Sequence, residues 1–211
     1  MRITVFGATG GTGIEVVRQA LAAGYQVTAV VRDPARLPVT GAGLTVVTGD
    51  VLDPAAMAGP IRDADAVICA IGQRGGPGAR SDLLAASTTS IIAAMRTTGV
   101  RRLIVVTASG HVRDSHDDFL TRAIAKPVLR RLLRSGFADF AETDRIVADS
   151  GLQWTIMRPS RLTDRGHRPY RTAVDHTLRG GMSISRADLA RATLHAADDP
   201  GAAGHAIAVG Y

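Results

Sequence analysis

Seven residues near the amino terminus, Gly7-Ala-Thr-Gly-Gly-Thr-Gly13, have the composition and spacing of a loop that holds a phosphate. One glycine permits a tight turn, a second lets the backbone approach a pyrophosphate, and a third lets a helix pack closely on a strand. Thr9 and Thr12 add hydroxyl donors. Gly7, Gly10 and Gly13 form Gly-x-x-Gly-x-x-Gly rather than the Gly-x-Gly-x-x-Gly of many dehydrogenases, so the glycines by themselves would fit any strand-to-helix turn. Their flanks decide: Arg2 to Phe6 reads as a β-strand, and Ile14 to Ala23 has apolar residues at helical spacing. Strand, glycine turn and helix in that order make a dinucleotide-binding unit, with the helix N-terminus offering unpaired N–H groups to the phosphates.

Other residues able to do chemistry fall at the ends of later predicted strands. Gln26 to Val31 is followed by Arg32-Asp33-Pro34-Ala35-Arg36. An acidic residue at this point holds the adenosine ribose hydroxyls, whereas an arginine suits a 2′-phosphate that its planar guanidinium can grip in two places. Arg32 and Arg36 therefore predict NADP(H). If Asp33 points into the site instead, NAD(H) is expected. Leu44 to Thr48 leads to Gly49-Asp50-Val51, which places Asp50 near an adenine amino group. Ala66 to Ile71 leads to a glycine-rich loop, 72–78. Leu103 to Val106 leads to Thr107-Ala108-Ser109. Gln153 to Met157 is closed by Arg158-Pro159-Ser160.

Between these strands the chain reads as helices. Asp53-Pro54 starts a short one; a longer one runs from Ser81 or Asp82 to about Thr98. Helices are predicted over Phe119 to Arg134, Ala138 to Asp149 and Ala187 to Ala197, the last with Ser185 and Asp188 at capping-box spacing. Thr163 to Arg179 is polar, with a short strand near Tyr170 to Val174, and Ala206 to Val209 is a final strand. The alternation predicts an α/β fold: one Rossmann-like, doubly wound parallel sheet with helices on both faces. Ligands of such sheets lie outside the carboxyl ends of the strands, where all the residues above converge. With 211 residues and no repeat or linker, one domain over 1–211 is expected, about 160–185 forming a small C-terminal cap on the cleft.

Bulk properties exclude several classes. Cys69 is the only cysteine and sits in an apolar run, so neither a disulfide framework nor a cysteine metal cluster is expected. His111 and His116 among Asp114, Asp117 and Asp118 match no helical ligand pair and read as a solvated loop; no metal is expected. The net charge is +6, carried almost wholly by arginine, Lys126 being the only lysine. Arg130, Arg131 and Arg134 cluster without interleaved aromatics, so no nucleic acid is expected as partner. No apolar run reaches membrane-spanning length and the first strand begins at once, which leads to an expectation of a cytoplasmic monomer or homodimer.

Gly-Ala-Thr-Gly-Gly-Thr-Gly (7–13), Val-Arg-Asp-Pro (31–34), Gly-Asp-Val (49–51) and Ser-Gly-Leu-Gln-Trp-Thr-Ile-Met-Arg-Pro (150–159) together resemble the atypical short-chain dehydrogenase/reductases with an NAD(P)H-binding, NmrA-like fold, within them most nearly the biliverdin-IXβ (flavin) reductase branch. The resemblance runs from Arg2 to about Pro159. It implies that Gly7, Thr9, Gly10, Gly11, Thr12 and Gly13 hold the pyrophosphate. Arg32 and Arg36 would take the 2′-phosphate, Asp50 and Val51 the adenine. Ala70, Ile71 and Gly72 would lie along the ribose, with Arg74 near the phosphates or the cleft mouth. Thr107 to Ser109, with Pro159 and Ser160, would flank the nicotinamide.

The sequence departs from the wider superfamily in one telling way. The tyrosine followed four positions later by a lysine, which donates the proton to a reduced carbonyl, is missing: Tyr25, Tyr170 and Tyr211 have no such lysine, and Lys126 has Arg122 four before it. A flavin, a quinone or a similar conjugated acceptor can take its proton from water. The expectation is therefore an NADPH-dependent reductase of such a small-molecule hydride acceptor. Ser109 is its candidate catalytic residue, either orienting the acceptor or serving only as a turn serine. Glu142 is a weaker proton-relay candidate. The alternative is a redox-sensing regulator that binds NADP(H) without turnover. A nucleotide-sugar epimerase or dehydratase is disfavoured, since it generally needs the absent tyrosine.

Overall fold

A computed structural model describes residues 1–72, 81–111 and 134–211. Its centre is an eight-stranded sheet. In chain order the elements are β1 (Arg2–Phe6), α1 (Gly11–Ala22), β2 (Gln26–Val31), β3 (Leu44–Thr48), α2 (Pro54–Ile61), β4 (Ala66–Cys69), α3 (Leu83–Thr98), β5 (Arg102–Val106), α4 (Arg134–Ala148), β6 (Gln153–Pro159), β7 (Arg161–Thr163), β8 (Arg171–Val174), β9 (Ser183–Ser185), α5 (Arg186–Asp198) and β10 (His205–Gly210). The sheet order is β3-β2-β1-β4-β5-β6-β10-β8. Every pairing is parallel except β8 on β10, so the doubly wound sheet carries one antiparallel edge strand. That strand comes from the segment expected to cap the cleft. β7 and β9 form a separate two-stranded parallel pair.

Alternation in β1 explains the layering. Ile3 and Val5 point into an apolar layer with Val16, Val17 and Ala20 of α1 and Leu189 and Ala190 of α5. Phe6 points the other way, against Met57 and Ile61 of α2, Leu84 and Ile91 of α3 and Val147 of α4. β4 and β5 are buried along their whole length, as expected of central parallel strands covered on both faces. The predicted helix over 119–134 and the His/Asp loop after His111 lie outside the described residues, apart from the start of α4.

Register carries the functional consequence. Val47, Val30, Phe6, Cys69, Val105, Ile156 and Ala206 are consecutive partners in one row across seven strands. The chain leaves β2, β1, β4 and β5 just past that row, at one edge. Because β1 lies between β2 and β4, connections diverge there and open the crevice that open α/β sheets use for ligands.

Candidate active site

A cavity of about 380 Å³ occupies that crevice. Gly7, Thr9 and Gly10 form its base. Val31 and Arg32 from the end of β2 stand on one side, Gly49, Asp50, Val51 and Leu52 behind them, and Ala70, Ile71, Gly72 and Leu83 on the other side. The volume lies in the range of small-molecule sites. From the end of β2 to the end of β5 is three strand spacings, ~14 Å, a span suited to an outstretched dinucleotide.

The glycine loop has the backbone geometry for a phosphate cradle. Gly7 has φ +78°, and a Cβ there would lie 2.6 Å from the carbonyl carbon and oxygen of Ala70. A Cβ on Gly13 would be 2.8 Å from the Gly7 carbonyl carbon and closer still to its oxygen. The Gly10 N–H donates to the Gly7 carbonyl (2.9 Å) and the Ile14 N–H to the Gly10 carbonyl (2.8 Å). The helix therefore begins at Gly11, inside the motif and three residues before the sequence pattern placed it. Its first-turn N–H groups face the crevice end of the sheet, with no acidic residue in that turn.

At the end of β2 two neighbouring side chains are separated by their bonding. Asp33 accepts from the Ala35 N–H (3.1 Å) and caps a single 3₁₀ turn, Pro34–Arg36. Arg32 lines the cavity, is exposed, and makes no hydrogen bond or ion pair among the described residues. Arg36 is likewise exposed, but it does not line the cavity. Asp50 accepts from the Leu52 N–H (3.0 Å), which fixes the turn that carries Val51.

At the end of β5 the hydroxyl of Thr107 is buried (5% exposed) and has no hydrogen-bond partner among the described residues. Its backbone N–H donates to Met157 (2.9 Å), tying the ends of β5 and β6 together. Half-buried Ser109 opens the 3₁₀ turn Ser109–His111 and also makes no hydrogen bond among the described residues. Pro159 is buried at the end of β6, paired with Val209. The Ser160 hydroxyl donates to the Gly181 carbonyl, which ties residues 160 and 181 together and commits this side chain to the backbone. Arg74 lies outside the described residues.

Several residues of the site were not singled out in the sequence. Leu52, Val30 and Leu83 line the cavity but carry no motif. Asp139 of α4, 3% exposed, accepts from the N–H groups of Leu84 (3.0 Å) and Ala85 (2.9 Å) and so caps α3 beside the cleft from another helix. The tyrosines take up structural posts instead. The Tyr25 hydroxyl meets Asp198, the Tyr211 hydroxyl meets Asp188 (2.6 Å), and the Tyr170 ring lies under Arg191. Glu142 is paired with Arg145 on the exposed side of α4, where that hydrogen bond holds its carboxyl below the usual range; it is a surface carboxylate. Among the described residues no cluster of His, Cys, Asp or Glu could hold a metal ion, and no helix is long and apolar enough to cross a membrane.

The family model described as NAD(P)H-binding matches residues 7–200, which include the glycine cradle and Arg32. The chain belongs to the NAD(P)H-binding family. Among curated proteins it is 30% identical, over 90% of its own length, to a (4-alkanoyl-5-oxo-2,5-dihydrofuran-3-yl)methyl phosphate reductase of Streptomyces griseus. The chain spans about half the length of that relative, 54%. Among solved structures it is similar to a wide-type short-chain dehydrogenase/reductase of Veillonella parvula in complex with NADP, with TM-score 0.82, 21% identity and coverage of 100% and 94% of the two chains. It is also similar to a Rossmann-fold NAD(P)-binding protein of Shigella flexneri, with TM-score 0.76, 24% identity and coverage of 99% and 92%. At these identities the structures speak to the fold, which is the doubly wound one expected.

Proposed function

We propose that this member of the NAD(P)H-binding family is an NADPH-dependent reductase that passes hydride to a flavin, a quinone or a similar conjugated acceptor. The carrying observation is the contrast at the end of β5. Among the described residues two hydroxyls there, on Thr107 and Ser109, make no hydrogen bond, while all three tyrosines are held in structural contacts. The site thus offers hydrogen bonds for orientation and, among the described residues, no phenol poised to protonate an alkoxide.

Bound NADPH supplies a hydride from its nicotinamide ring. The chain's part is placement. The first turn of α1, with Thr9 and Thr12, would hold the diphosphate, and Arg32 the 2′-phosphate. That Arg32 lines the cavity while Asp33 is spent on the Ala35 N–H supports NADPH over NADH. Thr107 and Ser109 would donate to the carboxamide or to the acceptor. Ile71 and Leu83 line the cavity with apolar surface, which would keep water from the reacting face. An acceptor whose new electron pair is delocalised over a ring or enolate takes its proton from solvent, so no side-chain acid is required. The Streptomyces relative's name describes such a compound, an unsaturated lactone conjugated to a ketone.

The test is NADPH oxidation, followed by absorbance, against a panel of free flavin, short-chain quinones and an acyl butenolide, with a simple ketone as control. Turnover with a conjugated acceptor and none with the ketone is the expected result. Tight NADPH binding with no acceptor-dependent oxidation across the panel would overturn the reading in favour of a sensor.

A further inference from the structure

Three of the four glycines in the loop have a backbone reason to be glycine. Gly7 has a positive φ, and Gly10 and Gly13 pack on the Gly7 carbonyl. Gly11 has neither constraint, is exposed, and starts a helix, where alanine is favoured over glycine. What fills its space is a side chain from the other end of the protein. A Cβ on Gly11 would lie 2.5 Å from Cδ and 2.7 Å from Nε of Arg186. Arg186 is the first residue of α5, which runs beside α1 in the same direction: Gln19 donates to the Ala187 carbonyl (2.8 Å), and Tyr25 meets Asp198 at the far ends. The root of the side chain is fixed by the Ser185 cap, whose hydroxyl accepts from the Asp188 N–H (3.0 Å). The guanidinium thus lies over the N-terminal turn of α1. Its recorded partner is Asp164 (2.5 Å), whose side chain is 86% exposed. An ion pair with so exposed a carboxylate is weak and easily exchanged.

We propose that Arg186 donates to the diphosphate of the bound dinucleotide across Gly11, exchanging Asp164 for the phosphate. The proposal rests on the cofactor assignment above. It makes the carboxyl-terminal helix a contributor to the cofactor site, and it gives Gly11 its purpose, which is to leave room for the arginine stem. Because the diphosphate is common to both pyridine dinucleotides, Arg186 contributes affinity without choosing between them, in contrast to Arg32.

The experiment is calorimetric titration of wild type, Arg186→Gln, Arg186→Lys and Asp164→Asn with NADPH, NADH, ADP-ribose and adenosine 2′-monophosphate, each protein's melting temperature being recorded as well. Arg186→Gln is expected to raise Kd for the three diphosphate ligands by about tenfold, the scale of one charge-assisted hydrogen bond, and to flatten their salt dependence. The monophosphate, which lacks the diphosphate, should be unaffected. Arg186→Lys should recover part of the loss, and Asp164→Asn should tighten binding. Diphosphate affinities of Arg186→Gln within about twofold of wild type would overturn the proposal, as would an equal loss for the monophosphate. Should Arg186→Gln fail to fold, unchanged diphosphate affinity in both Arg186→Lys and Asp164→Asn would overturn it. If wild type binds no pyridine dinucleotide at all, the cofactor assignment itself falls, which is a separate and recognisable result.

Discussion

Replacing the loop glycines by alanine one at a time separates conformational strain from steric conflict. Gly24, which ends α1, has φ +81° and open space around its Cα; Gly24→Ala meets only the cost of a left-handed backbone, about 1 kcal/mol. Gly13 has ordinary φ but would push a methyl into the Gly7 carbonyl. Overpacking against backbone costs about 3 kcal/mol, and alanine's helical preference returns about 1 kcal/mol, leaving a loss of about 2. Gly7 bears both penalties, since its methyl would sit 2.6 Å from the Ala70 backbone on the neighbouring strand, and about 4 kcal/mol follows. For a chain of this size each kilocalorie lowers the melting temperature by about 3 °C. Gly24→Ala, Gly13→Ala and Gly7→Ala should therefore melt about 3, 6 and 12 °C below wild type. Differential scanning fluorimetry with and without NADPH reads both stability and binding. At a hundredfold excess over Kd the cofactor adds about 2.7 kcal/mol, which Gly24→Ala should keep and the other two should lose. If Gly7→Ala melts within about 2 °C of Gly24→Ala, or retains the full upshift with NADPH, the close approach of β1 to β4 is not what shapes the cradle.

Arg32 is exposed and makes no hydrogen bond or ion pair among the described residues, so Arg32→Ala should leave the melting temperature unchanged while weakening NADPH by about tenfold or more and NADH by less than twofold, as read by fluorescence titration. Arg102 lies at the opposite edge of the sheet, donating to the Gln153 carbonyl (2.8 Å), the Thr155 hydroxyl (2.8 Å) and the Ala196 carbonyl; Arg102→Met should cost about 3 kcal/mol in urea unfolding and leave NADPH affinity intact. Burial pushes the Asp188 carboxyl up, but donors from Tyr211, His167, the Arg168 N–H and Ser185 outweigh it and hold the pKa at about 2. A depressed folded-state value means that its stabilisation, about 2 kcal/mol, is complete above the unfolded value near 3.8 and disappears as pH falls toward 2. Wild type should accordingly lose melting temperature more steeply than Asp188→Asn between pH 5 and about 2.5; parallel curves would refute that role.

How much was legible in the sequence follows from the range of each interaction. The strand-turn-helix around Gly7 to Gly13 is local, set by alternation in β1, apolar spacing in α1 and the conformational demands of glycine, so it was readable directly. The same holds for the Asp53-Pro54 start of α2 and the Ser185/Asp188 cap of α5. Even the convergence of Arg32, Asp50 and Ala70 on one cavity could be anticipated, because in a parallel sheet every strand points its carboxyl end the same way. Strand order could not be read, since it depends on which apolar faces pack across the whole molecule. Nor could the different bonding of Arg32 and Asp33, the latter accepting from the Ala35 N–H, or the hydrogen bond of the Ser160 hydroxyl to the Gly181 carbonyl. Asp139 capping α3 from α4, and Arg186 lying over Gly11 from the far end of the chain, join residues 54 and 175 positions apart. Contacts at such separations leave no periodicity or motif in the chain, and only packing of the helices against the sheet brings them within a hydrogen bond's reach.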